Sequence, residues 1–355
     1  MTNDIAYDQR MQKTARTLIN EGFEIKIIGR LKLTSKEYFD PSFETKRFSL
    51  FFQKGKCFYL EYNLRLFFYL LFQKADIFCA VDLDTIFPNV LVGKLRKIPI
   101  IYDAHEYFTE VPELQGREKV KSIWKWVERV CVPRCYKMYT VSDNIAKLFI
   151  EEYSIGCQVI YNFPMKSSNL TISPKEKSIM IYQGDLNEGR GLETAIQALK
   201  MLKNIELWII GDGYERKNLE NLAINCKVIN SVKFMGYISP NELKSYTNQA
   251  SLGLNLLENK GLNHYYSLAN KYFDYIQSGV PPISMNFPEY QKFNMEYECA
   301  ILLEDLSVET FVNKVSKVLN DKNKYSELVK NCDIAARFYN WEAQEKKLSS
   351  IYNNV

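Results

Sequence analysis

Histidine is nearly absent from this 355-residue chain, which has only His105 and His264. Neither lies near a cysteine, and the eight cysteines (Cys57, Cys79, Cys131, Cys135, Cys157, Cys226, Cys299 and Cys332) include no Cys-x-x-Cys pair. That argues against the ligand sets of structural zinc and against a redox dithiol. Scattered cysteines in apolar surroundings read as reduced, buried thiols of a cytoplasmic protein. A strong charge of one sign is also missing, since a net charge of +4 is too mild to argue for nucleic acid. Long apolar runs are missing as well: the longest, around Leu64–Phe72, falls well short of the ~20 residues that span a bilayer. Met1 to Asp8 is polar and has no apolar core of a secretory signal. What remains is ordinary globular composition, 46% apolar and 25% charged, at a length that accommodates two domains.

The second half alternates strands and helices. Apolar runs at Ile179–Tyr182, Leu207–Ile210, Val232–Met235, Leu252–Leu256, Pro282–Met285 and Ala300–Leu303 are each followed by a helical pattern. Six such units predict a parallel sheet covered on both faces, with ligands at the carboxyl ends of its strands. The first half is of the same kind but less regular. A helix at Tyr7–Glu21 leads to a strand at Phe23–Gly29, and a second strand is expected near Arg47–Phe51. Helices at Tyr62–Lys74, Thr85–Arg96 and Lys119–Tyr136 precede strands at Ile77–Val81, Pro99–Tyr102 and Met138–Val141, and Gln158–Tyr161 ends the half. The polar stretch Asn162–Lys177 reads as a linker. The domains are therefore expected at 1–163 and 164–338, with a helix at 339–355 packing back on the first.

Gly261 to Ile283 carries the most chemistry. Ser267-Leu268-Ala269-Asn270 reads as a helix entry, with Ser267 or Asn270 as N-cap. Leu268, Tyr272, Tyr275 and Ile276 follow at helical spacing, Ser278-Gly279 closes the helix, and a buried strand begins at Pro281. Lys271 falls in the first turn, where its charge opposes the helix dipole, so a cation there points to an anionic ligand. Asp274, one turn on, can accept from sugar hydroxyls. Helix start, lysine and carboxylate together suit a nucleoside diphosphate.

This block resembles the donor-nucleotide motif of the retaining glycosyltransferases of family 4, which have the GT-B fold. Gly279-Val280-Pro281 matches the downstream turn and Asp274 takes the second glutamate's position, whereas Tyr266 stands at the first and cannot supply a carboxylate. The resemblance is strongest over residues 179–285. It implies two doubly wound Rossmann-like domains facing a cleft, the first on the acceptor side and the second holding the nucleotide. Related chains begin with an apolar strand before the Asn-Asp that is here Asn3-Asp4, so a displaced start or another segment in that place is expected.

The other candidates fall at carboxyl ends of strands. Gly184-Asp185-Leu186-Asn187-Glu188-Gly189-Arg190-Gly191 is a glycine-rich turn into a helix, explicable as tight packing alone. The resemblance places the diphosphate grip here, with Asp185 at the usual arginine position and Arg190 replacing the lysine. Gly211-Asp212-Gly213 reads as a turn that keeps a cleft open, and the loop after Gly236 offers Tyr237 to the base or to the core. Asp103-Ala104-His105-Glu106 is either a capping cluster or a site, and the resemblance assigns His105 to the donor sugar and Glu106 to orienting it or to the acceptor. Asp82-Leu83-Asp84 looks like the metal-binding pair of a different glycosyltransferase fold, but Asp84 is better read as the N-cap of the helix at Thr85, and no metal ligand is assigned. Gly116 to Lys137 sets Trp124 and Trp126 among seven cations against Glu118 and Glu128, a composition that suits anionic lipid headgroups or a solvated helix.

The expected activity is transfer of a sugar from a UDP- or GDP-linked donor, with retention of configuration, to a glycan or lipid-linked acceptor in polysaccharide biosynthesis. It needs no cofactor and takes place in the cytoplasm, with contact at the inner face of the membrane. Rival readings are a sugar-nucleotide epimerase of the same fold, and an inactive partner subunit, motivated by Tyr266 and Asp185.

Overall fold

The computed structural model describes residues 1–32, 35, 37–166 and 178–355. Most of the expected linker, residues 167–177, thus lies outside the described residues. The chain divides into two compact units. Unit 1 is Met1–Asn162 with Gly261–Asn263 and Gln344–Val355, and unit 2 is Phe163–Lys260 with His264–Ala343.

Unit 1 opens with α1 (Gln9–Asn20), β1 (Lys26–Leu31), β2 (Glu44–Ser49) and α2 (Gly55–Phe72). It continues through β3 (Phe78–Val81), α3 (Leu83–Arg96), β4 (Ile100–Ala104), α4 (Glu118–Cys131), β5 (Lys137–Thr140), α5 (Asp143–Tyr153) and β6 (Cys157–Val159). Strands β3, β4, β5 and β6 pair in chain order, all parallel, and β1 and β2 form a separate parallel pair. The first residues lie against β1: the Met1 ammonium donates to the Ile28 carbonyl at 3.0 Å and Arg30 N–H to the Asn3 carbonyl at 3.0 Å. Met1 and Ile5 pack there with Ile27 and Val81. Met1 to Asn3 thus run alongside β1.

Unit 2 runs through β7 (Ser178–Gln183), α6 (Leu192–Ala198), β8 (Ile205–Ile210), α7 (Arg216–Asn225), β9 (Val232–Gly236), α8 (Pro240–Thr247) and β10 (Leu252–Asn255). Then come α9 (Leu262–Tyr265), whose first two residues belong to unit 1, α10 (Asn270–Ile276), β11 (Pro282–Met285), α11 (Pro288–Tyr297), β12 (Ile301–Leu303), α12 (Val308–Asn320) and α13 (Lys322–Ala336). The last helix, α14 (Glu342–Asn353), belongs to unit 1 from Gln344 on. All six expected strands are present; the inner ones, buried on both faces of the parallel sheet, are apolar along most of their length, whereas the edge strand β9 carries exposed Lys233. The sheet order is β12-β11-β10-β7-β8-β9, every pair parallel. The chain therefore leaves β7 in one direction for β8 and β9, then crosses to the other side for β10 to β12. At that reversal the loops after β7 and β10 diverge and leave a crevice at the strands' carboxyl ends, where sheets of this type bind ligands.

Several expected boundaries shift. α2 starts two turns before Tyr62, behind Lys54, which makes no side-chain capping bond. β1 begins at Lys26 rather than Phe23. α4 stops at Cys131 and gives way to a 3₁₀ turn at Val132–Arg134, because Pro133 cannot continue the helical hydrogen bonding. The basic character of α4 is also partly neutralised: Lys125 pairs with Glu128 (2.7 Å) and Glu152 (2.6 Å), and Lys121 with Glu110 (2.7 Å). Trp124 packs edge-on against Tyr59 and Phe108, while Trp126 is exposed.

Candidate functional site

The reversal in unit 2 is built around Tyr275. Its ring comes from α10 and lies over Gly253 of β10, where a Cβ would stand 2.3 Å from ring carbons. Its hydroxyl is 3.2 Å from the carbonyls of Ile181 and Leu254 and accepts from Gln183 N–H at 3.2 Å. One phenol thus ties β7 to β10 where the two part, and fixes α10 over the crevice. Asp274, the preceding residue, accepts from Gln183 Nε2 at 3.3 Å, and Gln183 accepts from Thr247 Oγ1 at 3.0 Å.

The helix entry differs from expectation in detail. The N-cap is Ala269, whose N–H donates to the Tyr290 hydroxyl at 3.0 Å, and Ser267 turns back to donate to the His264 carbonyl at 2.9 Å. Leu268 is buried and Asn270 exposed. A core tyrosine from α11 thus holds the N-cap residue in place, and no side chain makes the capping bond expected of Ser267 or Asn270.

Lys271 reaches from the first turn of α10 to the end of β7. Its ammonium lies 3.9 Å from the centroid of the Tyr182 ring and 3.3 Å from where a Cβ on Gly184 would be. Gly184 has φ +137°, so only glycine leaves this mouth open without strain. Lys271 forms no ion pair among the described residues; the charges of Asp185 and Asp274 act on it from farther away. Burial first, and then the neighbouring Arg190 guanidinium, lower its ammonium to about 7. Arg190, at the end of the glycine-rich turn, keeps its Nε buried and without a hydrogen-bond partner. Two adjacent cations, neither satisfied by a carboxylate, leave a site that an anion would complete.

The two glycine-rich loops pack backbone to backbone. A Cβ on Gly211 would stand 1.9 Å from the Gly184 carbonyl oxygen, and one on Gly213 2.4 Å from that of Leu186. Leu186 N–H donates to the Asp212 carbonyl at 3.0 Å and Gly211 N–H to that of Gly236 at 2.8 Å. The glycines of this turn therefore let the two loops meet without a side chain between them. Tyr237, just after Gly236, has an exposed ring.

His105 and Glu106 belong to unit 1. His105 Nε2 is 3.0 Å from Asp103 Oδ2, while Nδ1 stands 3.7 Å from Asp82 Oδ2, too far for a hydrogen bond. Burial alone would lower the imidazole, but Asp103 and Asp82 outweigh it and hold it up at about 9. The ring is thus an imidazolium whose Nδ1–H has no close acceptor in these two carboxylates. Asp103 is fully buried, also pairs with Arg10 at 3.1 Å, and despite its burial is held down at about 2 by Arg10 and His105. Burial, followed by Asp82 and Glu113, pushes Glu106 up to about 8. It accepts from Asn263 Nδ2 at 3.4 Å.

Asp84 does not cap a helix. α3 begins one residue earlier, at Leu83, behind Asp82, whose φ is +58° and whose carboxylate accepts from His105 N–H at 2.8 Å. Asp84 accepts from the Thr2 hydroxyl at 2.5 Å. Tyr182, Gln183, Tyr290 and Arg10 were not singled out in the sequence, and Asp103 was named only as part of the cluster with His105. The first two could have been, since the last residues of a central parallel strand face the crevice; Arg10 lies 93 residues from its partner and leaves no local trace.

Residues 166–334, a little under half of the chain, match the family described as Glycosyl transferases group 1. Over 151 residues the chain is 23% identical to the lipopolysaccharide core biosynthesis glycosyltransferase LpsE of Rhizobium meliloti (strain 1021), a match covering 42% of either chain. The matched part thus spans about two fifths of that relative's length. WaaG, a glycosyltransferase involved in lipopolysaccharide biosynthesis, superposes with a TM-score of 0.75 at 15% identity over 99% of this chain and 96% of its own. HepE from Anabaena, solved with UDP and glucose, superposes with a TM-score of 0.77 at 11% identity over 100% and 98%. The chain has the GT-B fold, and the segment that matches group 1 contains the crevice with Lys271 and Arg190.

Proposed function

We propose that this chain is a glycosyltransferase that moves a sugar from a nucleoside-diphosphate donor to a glycan or lipid-linked acceptor. The observation that carries this reading is the pair of unsatisfied cations, Lys271 and Arg190, at the sheet reversal of unit 2. An anionic diphosphate supplies what the pair lacks, and Arg190 can hold it in two-pronged fashion. As the bond to the sugar breaks, negative charge gathers on the departing diphosphate. Cations already in place stabilise that charge without a metal ion. Asp274, oriented by Gln183, is set to accept from hydroxyls of the donor.

In unit 1 the proposal keeps His105 for the transferred sugar, through Nδ1–H, and Glu106 for the acceptor. Retention of configuration, by attack on the face from which the diphosphate leaves, belongs to the same proposal. So does a place in lipopolysaccharide or related polysaccharide assembly at the cytoplasmic face of a membrane, a reading supported by the named activities of LpsE and WaaG. An epimerase is not favoured, because the chain's matches are to transferases. Calorimetric titration with a panel of UDP- and GDP-sugars tests the reading. Binding of one nucleotide class, lost in Lys271→Ala/Arg190→Ala, is expected. Binding of none would return the chain to the inactive-partner reading.

A further inference from the structure

Helix α2 is apolar on opposite sides. Phe58, Tyr62, Leu66 and Leu70 recur every four residues and are buried. Two residues out of phase, Leu60, Leu64, Phe68 and Phe72 recur at the same interval and are 63%, 50%, 59% and 82% exposed. Two positions are about 200° around a helix, so this second stripe faces away from the core. On the outer face of an ordinary surface helix those positions are polar. Leu66-Phe67-Phe68-Tyr69-Leu70-Leu71-Phe72 has no charged or amide side chain at all.

The apolar face extends beyond one helix. Leu64, Phe68 and Phe72 border an open apolar groove that Phe48 and Tyr69 also line. α3, joined to the end of α2 through Arg96, whose Nη1 donates to the Leu70 carbonyl at 2.8 Å, also exposes Leu91 and Leu95. Exposed Lys54 and Lys56 flank the start of α2, exposed Lys74 follows its end, and exposed Lys94 and Lys97 lie within two residues of Arg96, which bonds that end. Of the nearby carboxylates among the described residues, Glu61 is bound to the N–H groups of Phe51 and Phe52 and to Arg65, exposed Glu44 is paired with Lys26 at 2.9 Å, and Asp76 is exposed after the end of α2. A contiguous apolar patch of this kind marks a surface that something covers. An apolar stripe with a cationic rim complements an anionic bilayer, in which the rings enter the acyl boundary and the ammonium groups meet the headgroups. A second copy of the same face would instead bring the two lysine rims together.

We propose that the outer face of α2, centred on Leu64 and Phe68, docks on the surface of an anionic lipid bilayer. This deepens the membrane contact in the functional reading by moving it from α4 to α2, and it does not depend on the transfer chemistry. The test is co-sedimentation of the full chain with phosphatidylglycerol/phosphatidylethanolamine vesicles, with phosphatidylcholine vesicles as the neutral control. Wild type is expected to bind the anionic vesicles and to bind the neutral ones at least about tenfold more weakly. Leu64→Gln/Phe68→Gln is expected to lose at least about tenfold in partitioning while its melting temperature and nucleotide affinity hold. Should that pair misfold, Phe72→Gln, at the most exposed of the four positions, is expected to lose binding in the same direction. No binding by wild type, or undiminished binding by the folded variants, overturns the proposal. So does binding lost equally in Ile123→Gln/Trp126→Gln, which places the contact on α4. A dimer seen by light scattering that Leu64→Gln/Phe68→Gln dissociates, without vesicle binding, overturns it in favour of pairing between copies. Vesicle binding in a chain that binds no nucleotide would count against the transfer reading alone.

Discussion

Lys271 gives the sharpest prediction, because its charge state is set by the empty site. Burial and Arg190 lower its ammonium from an ordinary value of 10.5 to about 7. At pH 8 only roughly one molecule in ten then carries the proton in the empty site. A diphosphate 3 Å away favours the charged form, so binding restores the proton, and uptake should approach roughly 0.9 per nucleotide at pH 8. The terminal phosphate ionises near pH 6 and contributes little there. Affinity should therefore fall by up to about tenfold per pH unit above 7. Calorimetry at pH 8 in buffers of different ionisation enthalpy measures the uptake directly. Lys271→Met should bind about 10- to 100-fold more weakly at pH 7, the loss of one charge-assisted contact, and take up almost no proton. Stability carries the same signature with a defined sign. Between about pH 7 and 10.5 the unfolded chain holds a proton that the folded one has released, so wild-type stability rises with pH across that window, and the variant should lack this rise. No proton uptake by wild type, or equal uptake by Lys271→Met, would refute the assignment of Lys271 to phosphate.

Three further outcomes are expected. His105→Ala should lower kcat and kcat/KM together, by about 10²-fold, while affinity for free nucleotide holds; reduced melting temperature with normal turnover in the folded fraction would mean that His105 only braces its loop. Gly211→Ala should lose about 3 kcal/mol or more in chemical denaturation, because φ is +133° and its Cβ would meet the Gly184 carbonyl, part of a backbone that cannot swing aside; a loss under about 1 kcal/mol would show that the two loops part easily. Transfer should survive EDTA, since Lys271 and Arg190 supply the positive charge, whereas loss on chelation reversed by manganese or magnesium would bring Asp82 and Asp84 back as ligands.

Unit 2 was legible because its strands, apart from the edge strand β9, are largely buried on both faces: the run at Pro282–Met285 has the bounds of β11, and the other five runs fall on their strands. Where one face or an end is wet, the signal fades. The polar strand Glu44–Ser49 was placed three residues late, and the first turns of α2 were missed because no capping side chain announces Lys54. Local rules also fail where a distant residue does a local job. No side chain caps α10 as expected of Ser267 or Asn270; its N-cap residue Ala269 is held instead by Tyr290, twenty-one residues away, and Asp84 turns to Thr2 instead of to its own helix. The cationic pair was visible as residue types, Lys271 after a helix start and Arg190 after glycines. What sequence could not show was that Tyr182 and Gly184 bring the lysine to the end of β7, and that neither cation meets a carboxylate in the described residues.

The central claim is that the crevice of unit 2 holds a nucleoside diphosphate by Lys271 and Arg190. A crystal structure with the nucleotide that binds in titration tests it most directly. The account predicts diphosphate oxygens about 2.7–3.2 Å from Lys271 Nζ and from the Arg190 guanidinium, above Gly184, with the sugar hydroxyls toward Asp274. A nucleotide bound elsewhere, or in the crevice with its phosphates turned away from both cations, would contradict it.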